Sequence, residues 1–263
     1  MSMYESFARV YDTFMDNVPY GEWADTLETL LKMDGIQEGL LLDLGCGTGN
    51  LTRLFALRGY DMIGVDGSAD MLEVALEKEL PEKGRILENG SKRADILYLN
   101  QDMQEFELFG TVRAILSTCD SLNYITDPND LLKVFQLVNN YLDPGGLFLF
   151  DLSTVYDYEK LCADNTFADN RAEGSFIWEN HYDPDTCLNE YDLTLFISQE
   201  GGLFRRCSET HLERAYTLET VKGLLAGAGL VFLNAYDGYS LNPLREDSER
   251  MLIAAREHGK AQL

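Results

Sequence analysis

Three glycines in alternate positions, Gly45, Gly47 and Gly49, follow a short apolar run and open onto a helical pattern. A chain without side chains at such points lets a ligand come close to the backbone, and the helix N-terminus just beyond offers unpaired N–H groups. A second apolar run, Met62-Ile63-Gly64-Val65, ends in Asp66, a strand-end carboxylate suited to accept hydrogen bonds from ribose hydroxyls. Gly67 beside it allows close approach, and Met71 offers an apolar surface to an adenosine. The dinucleotide fingerprint wants a small residue at the sixth position of the turn, where this chain has Asn50. That points to an adenosine-bearing cofactor other than NAD. Asp43, inside the first run, is expected to anchor the loop or a bound amino group rather than to react, and a nearby cation would help hold it ionised. Cys46 reads as a small apolar residue with its backbone near the cofactor, not as a reactive thiol.

The elements that must position these residues alternate. Leu40 to Leu44 reads as a strand, 49–58 as a helix and 61–65 as a second strand; a helix from Ala69 to about Lys78 follows, capped by Ser68. Residues 81–93 read as an exposed connection, then 96–99 and 112–116 as strands. Asp127-Pro128 starts a helix that runs to Tyr141, Asp143-Pro144-Gly145-Gly146 stops it, and 147–150 is a fifth strand. This order requires parallel pairing through crossover helices, with ligands at the carboxyl ends of the strands, where Gly45, Asp66, Asp102, Cys119 and Asp151 all fall. Upstream, 4–33 reads as two helical pieces broken near Pro19. After Ser153 the pattern changes: 175–182, 189–198 and 202–213 read as three antiparallel strands, before a helix over 216–228 and strands over 231–236 and 250–255.

Gly45-Cys46-Gly47-Thr48-Gly49 after Leu42-Asp43-Leu44, followed by Val65-Asp66, resembles the class I S-adenosylmethionine-dependent methyltransferases. Asn100-Gln101-Asp102-Met103 resembles their segment after the third strand, and Cys119-Asp120-Ser121-Leu122-Asn123-Tyr124 their fourth-strand end. Leu142-Asp143-Pro144-Gly145-Gly146 resembles the turn before their fifth strand. The motifs cover about residues 36–152, and the remainder is similar by topology only. The resemblance implies an α/β fold of the Rossmann-like methyltransferase kind: three layers, α/β/α, around a mostly parallel seven-stranded sheet, with a small antiparallel insertion before the last two strands. It implies S-adenosyl-L-methionine as cofactor. The glycine turn would pass its methionine part, Asp66 would bind the ribose, and Asp102 with Met103 would border the adenine. Phe7-Ala8-Arg9-Val10-Tyr11-Asp12 looks like the family's lid opening, so that Tyr11 would bond the cofactor carboxylate, with Arg9 as a further partner and Tyr20 and Trp23 shaping the rim. The expected cofactor-binding set is Tyr11, Asp43, Gly45, Cys46, Gly47, Gly49, Asp66, Gly67, Met71, Asp102, Met103 and Cys119. Asp120, Asn123 and Tyr124 are expected near the reacting end, with His181 as a candidate base reaching in from the insertion. The expected division is a helical lid (1–35), a cofactor-binding core (36–174), an insertion over the acceptor site (175–213) and the end of the core sheet (214–263).

The net charge of −24 disfavours a long phosphate track and suits a neutral or cationic acceptor. Five cysteines without compact spacing argue against a disulfide scaffold or a zinc site, so no metal is expected. The N-terminus lacks a basic region with an apolar run, and no stretch reaches membrane-spanning length, so the expectation is a cytoplasmic protein, monomer or homodimer, without membrane or nucleic-acid partners. The expected activity is methyl transfer to the nitrogen, oxygen or carboxylate of a small molecule. Methylation of protein or RNA, a non-catalytic S-adenosylmethionine-binding regulator and, last, an NAD-dependent oxidoreductase are the alternatives. Sequence leaves open the acceptor atom, the use of a base, and whether lid or insertion sets specificity.

Overall fold

A computed structural model of the chain describes residues 7–78 and 96–260; Tyr4 of the first helical piece and the 81–93 connection lie outside the described residues. The main sheet is built from β1 (Leu40–Leu44), β2 (Asp61–Asp66), β3 (Leu97–Asn100), β4 (Val112–Ser117), β5 (Leu142–Ser153), β10 (Leu230–Asp237) and β11 (Arg250–Glu257), in the order β10-β11-β5-β4-β1-β2-β3. β1 to β5 run parallel, and β11 pairs antiparallel with both β5 and β10. This is the Rossmann-like α/β/α architecture. The chain reverses its order of addition between β1 and β4, and the crevice beyond the carboxyl ends of those two strands is where such sheets bind ligands.

The helices form where the apolar spacing and the caps agree. α4 (Ala69–Glu77) starts at Ser68, whose hydroxyl accepts from the Met71 N–H at 3.3 Å; α5 (Pro128–Tyr141) starts at Asp127 with proline in its first turn; α6 (Leu218–Gly227) starts at Thr217. α3 (Asn50–Leu57) follows the glycine turn directly. Leu131, Val134, Phe135 and Val138 of α5 fill one face of the sheet against Phe148 and Phe150; α2 (Tyr20–Met33) and α3 cover the other with Leu27, Leu31 and Phe55.

A second, antiparallel sheet in the order β6-β7-β8-β9 rises after β5. Its strands are β6 (Thr166–Asn170), β7 (Gly174–Asp183), β8 (Leu188–Ser198) and β9 (Phe204–Arg214). The sequence reading foresees three of these; β6 is additional, because Thr166-Phe167-Ala168-Asp169-Asn170 is an exposed edge strand without an apolar alternation to mark it. The inner face of this sheet is apolar at one end, where Leu193 and Leu195 meet Val10 and Phe14 of α1 (Ala8–Phe14). α1 is thus packed on the second sheet. Among the described residues, no helix is long and apolar enough to cross a membrane.

Candidate active site

A cavity of about 360 Å³ opens at the carboxyl ends of β1, β2 and β4, lined by the glycine turn, Asp66, Met71, Met103, Cys119 and Tyr124, with Tyr11 and Tyr20 on the lid side. The turn is held from below: the Gly45 and Cys46 N–H groups donate to the Val65 carbonyl at 2.8 and 3.0 Å. Gly45 has φ +78°, and a Cβ there would stand 2.7 Å from Ser121, so neither backbone nor space admits a side chain. Asp66 accepts the Gly47 N–H at 2.7 Å and the Ser68 N–H at 2.8 Å, one on each oxygen. Each oxygen keeps a second lone pair for a ligand hydroxyl. Burial raises its carboxyl above the usual value although both N–H groups pull it down. Asp43 is buried and accepts from the Thr52 hydroxyl at 2.5 Å; desolvation pushes it up to about 6.

Of the twelve expected cofactor-binding residues, eleven line this cavity; Gly49 does not, but turns the chain into α3 with φ +72°. A Cβ at Gly49 would collide with the Tyr98 hydroxyl. Thr48, Ser68, Gln101, Thr118 and Ser121 also line it, each adjacent in sequence to an expected residue and so within reach of the motif reading. Asp102 caps its own turn, accepting the Gln104 N–H at 2.8 Å.

Asp12 ties α1 to the glycine turn. Its carboxylate accepts from the Thr48 hydroxyl at 2.7 Å and the Asn50 amide at 2.9 Å, and pairs with Lys78 at 2.5 Å. Asn50, the residue that breaks the dinucleotide fingerprint, is therefore one of the groups that hold α1 to the turn. Arg9 does not reach the cavity; it is 64% exposed and pairs with Glu73 at 3.2 Å, one helical face away from Tyr11. Trp23 also lies elsewhere, stacked on Tyr239 at 4.3 Å with the Arg250 guanidinium over its ring.

The end of β4 is bent hard. Cys119 and Asp120 have φ +59° and +61°, the left-handed region that disfavours residues with a Cβ. Asp151 offsets that cost by accepting both N–H groups, at 3.2 and 3.1 Å, while Tyr239 donates to it at 2.6 Å and Arg250 at 3.0 Å. Asp120 is not among the cavity-lining residues: it forms a forked pair with Arg250 and accepts from Ser153 at 2.9 Å. The two-residue αL turn is what swings its side chain away from the cavity. Asn123 is likewise inward but structural; fully buried, it accepts the Ser153 N–H at 3.1 Å and donates to the Arg214 carbonyl at 2.8 Å.

Tyr124 alone of the four expected reacting-end residues lines the cavity. Its hydroxyl is hydrogen-bonded to that of Tyr191, which stacks on His211 at 4.7 Å and 12°. Cross-strand pairs Asn180–Tyr191–His211 and Tyr182–Asn189–Glu213 set two rows on the inner face of the second sheet. His181 is one place out of step. It points outward, 78% exposed, with Asp164 at 3.2 Å, because successive residues of a strand face opposite sides. Glu213 is the inward group sequence reasoning missed, although the alternation from His211 marks it. It is buried, accepts from Tyr158 at 2.8 Å, and also engages the Tyr124 hydroxyl.

The family description "Methyltransferase domain" matches residues 41–146, from β1 to the turn before the apolar part of β5. The chain is 31% identical over 256 residues to the putative methyltransferase YqeM of Bacillus subtilis (strain 168), covering 97% of each. The chain belongs to the class I S-adenosylmethionine-dependent methyltransferases. A solved S-adenosylmethionine-dependent methyltransferase from Clostridium acetobutylicum ATCC 824 superposes with a TM-score of 0.82 at 29% identity, over 97% of this chain and 99% of that one. The sugar N-methyltransferase KedS8 from Streptoalloteichus sp ATCC 53650 shares the fold, with a TM-score of 0.76 at 17% identity, over 98% of this chain and 97% of that one. The methyltransferase uses S-adenosyl-L-methionine, and its cavity suits that molecule: the hydroxyl-accepting Asp66 carboxylate, the thioethers of Met71 and Met103 and the phenols of Tyr11, Tyr20 and Tyr124 stand around the glycine turn.

Proposed function

We propose that this methyltransferase modifies a small molecule held between the β4 end and the inner face of the second sheet. What supports the reading is the position of Tyr124, which lines the cavity on one side and bonds Tyr191 of β8 on the other. The cavity opens between α1, the glycine turn and the β4 end, and Tyr124 joins that end to the second sheet, an arrangement that suits a compact acceptor better than an extended polymer. The charge of −24 adds to this, since a phosphate backbone would meet a repulsive field.

Asp66 would hold the ribose, Met71 and Met103 the adenine, and Tyr11 and Tyr20 the methionine end of the cofactor. S-adenosyl-L-methionine supplies an electrophilic methyl group on a sulfonium. The protein's own part is alignment and exclusion of water: the latched lid closes one side and Cys119 with Tyr124 sets the line of approach. We take the lid (1–35) as governing the cofactor and the second sheet, within and just before 175–213, as governing the acceptor. Incubation of the protein and a methyl-labelled donor with fractionated cell extract tests this. Label is expected in a small-molecule fraction; label confined to protein or RNA would overturn the reading.

A further inference from the structure

We propose that Tyr124 and Glu213 form the proton-accepting end of the acceptor subsite, and that the acceptor is an amine. The inference rests on the small-molecule reading above. Its first support is place: the Tyr124 hydroxyl stands at the junction of the cavity with the second sheet, where it meets Tyr191 and Glu213. Its second is an electrostatic imbalance. Glu213 is buried and bonded by two phenols, Tyr124 and Tyr158, yet no Lys or Arg pairs with it among the described residues. The charged groups that face it are Asp120, which opposes its ionisation, and Arg250, which favours it but is already paired with Asp120 and Asp151. Cys162, on the turn that carries Tyr158, also feels its charge, and His211 stands two places before it on the same face of β9. A buried carboxylate of this kind is costly until a cation enters, and a ligand ammonium in the cavity would supply one.

The third support is chemical. An ammonium has no lone pair and must lose a proton before it can attack. One proton passes from the acceptor nitrogen to the Tyr124 oxygen while the Tyr124 proton passes to a Glu213 carboxylate oxygen. The nitrogen keeps the electron pair of the broken N–H bond, the phenol is regenerated, and Glu213 ends as the neutral acid, which returns the proton to water between turnovers. Burial pushes the Glu213 carboxyl up to about 8. That lies far nearer an alkylammonium, at ~10.4, than an ordinary carboxylate does, so the transfer is only modestly uphill. Tyr124 is the catalytic residue of this scheme; Glu213 acts through it, and Tyr191 stacked on His211 holds the hydroxyl in line.

Sinefungin is the probe, because it carries an amine where the cofactor carries its methyl group, whereas S-adenosylhomocysteine carries nothing there. Calorimetric titration of the intact protein with each, in buffers of different ionisation enthalpy near pH 7, reads both affinity and proton release. Wild type is expected to bind sinefungin ~10-fold tighter than S-adenosylhomocysteine and to release up to about one more proton in doing so. Glu213→Gln and Tyr124→Phe should each erase the affinity difference and the extra proton. Glu213→Asp should restore part of the proton release, which a purely structural role would not. Equal preference and equal proton counts in wild type and both variants, with S-adenosylhomocysteine still bound, would overturn the proposal. Tyr124→Phe, which keeps the ring, decides the matter if Glu213→Gln fails to fold. Wild type that binds neither ligand would instead contradict the cofactor assignment on which the proposal stands.

Discussion

Asp151 does not itself line the cavity, yet two N–H groups, one phenol and one guanidinium converge on its carboxylate. It keeps Cys119 and Asp120 in a backbone shape they would otherwise leave. Asp151→Asn would turn an NH2 group towards donors and leave Arg250 short of one partner. The expected loss is about 3 kcal/mol in denaturant unfolding, since breaking a buried pair exposes its uncompensated half. Glu213 gives a prediction of a different kind. Its carboxyl rises from 4.5 to about 8 on folding, so below the lower value both states hold the proton, and between the two only the folded state does. Its contribution to stability is therefore full at low pH and is lost as pH rises through about 8. Thermal denaturation across that window should show a decline of at most ~5 kcal/mol that Glu213→Gln flattens. A decline of the same size in the variant would assign it to other groups.

Among the elements, α1 is held from two sides. Asp12 ties α1 to the glycine turn and to Lys78, while Arg171 ties it to the second sheet through the Thr13 carbonyl at 2.8 Å and Asp16 at 2.5 Å. Asp12→Ala should speed release of S-adenosylhomocysteine, followed by stopped flow, by about tenfold, a cost of roughly 1.4 kcal/mol. Unchanged release would mean that the latch does not gate the cavity. The main-sheet elements were legible in sequence because apolar runs, Ser68, Asp127-Pro128 and the glycines all favour the same assignments. Legibility failed where a single residue of phase decides the outcome. The stretch Trp178-Glu179-Asn180-His181-Tyr182 carries polar residues in both phases, and it is the pairing with Tyr191 that turns Asn180 rather than His181 inward. Asp120 was misplaced for a related reason, since its direction follows from an αL turn held by Asp151, far away in sequence. Most of the cavity lining falls in contiguous motifs and is readable; Glu213 is marked only by the alternation from His211, and Tyr239, on a distant turn, is not marked at all.

At the scale of the whole molecule, a parallel sheet reverses its order between β1 and β4, the lid and second sheet stand over that reversal, and a charge of −24 surrounds them. Self-repulsion at that charge opposes compactness and is screened by salt. Raising ionic strength from low values to about 0.15 M should therefore raise the melting temperature by a few degrees; a fall would show that specific ion pairs outweigh the net charge. The central claim is that this fold binds S-adenosyl-L-methionine at the glycine turn and Asp66. Calorimetric titration with S-adenosylhomocysteine, of wild type and Asp66→Ala, tests it most directly. The account predicts saturable one-to-one binding that the substitution weakens by about a hundredfold, roughly two charge-assisted hydrogen bonds. No binding by folded wild type, or equal affinity in the two proteins, would contradict it.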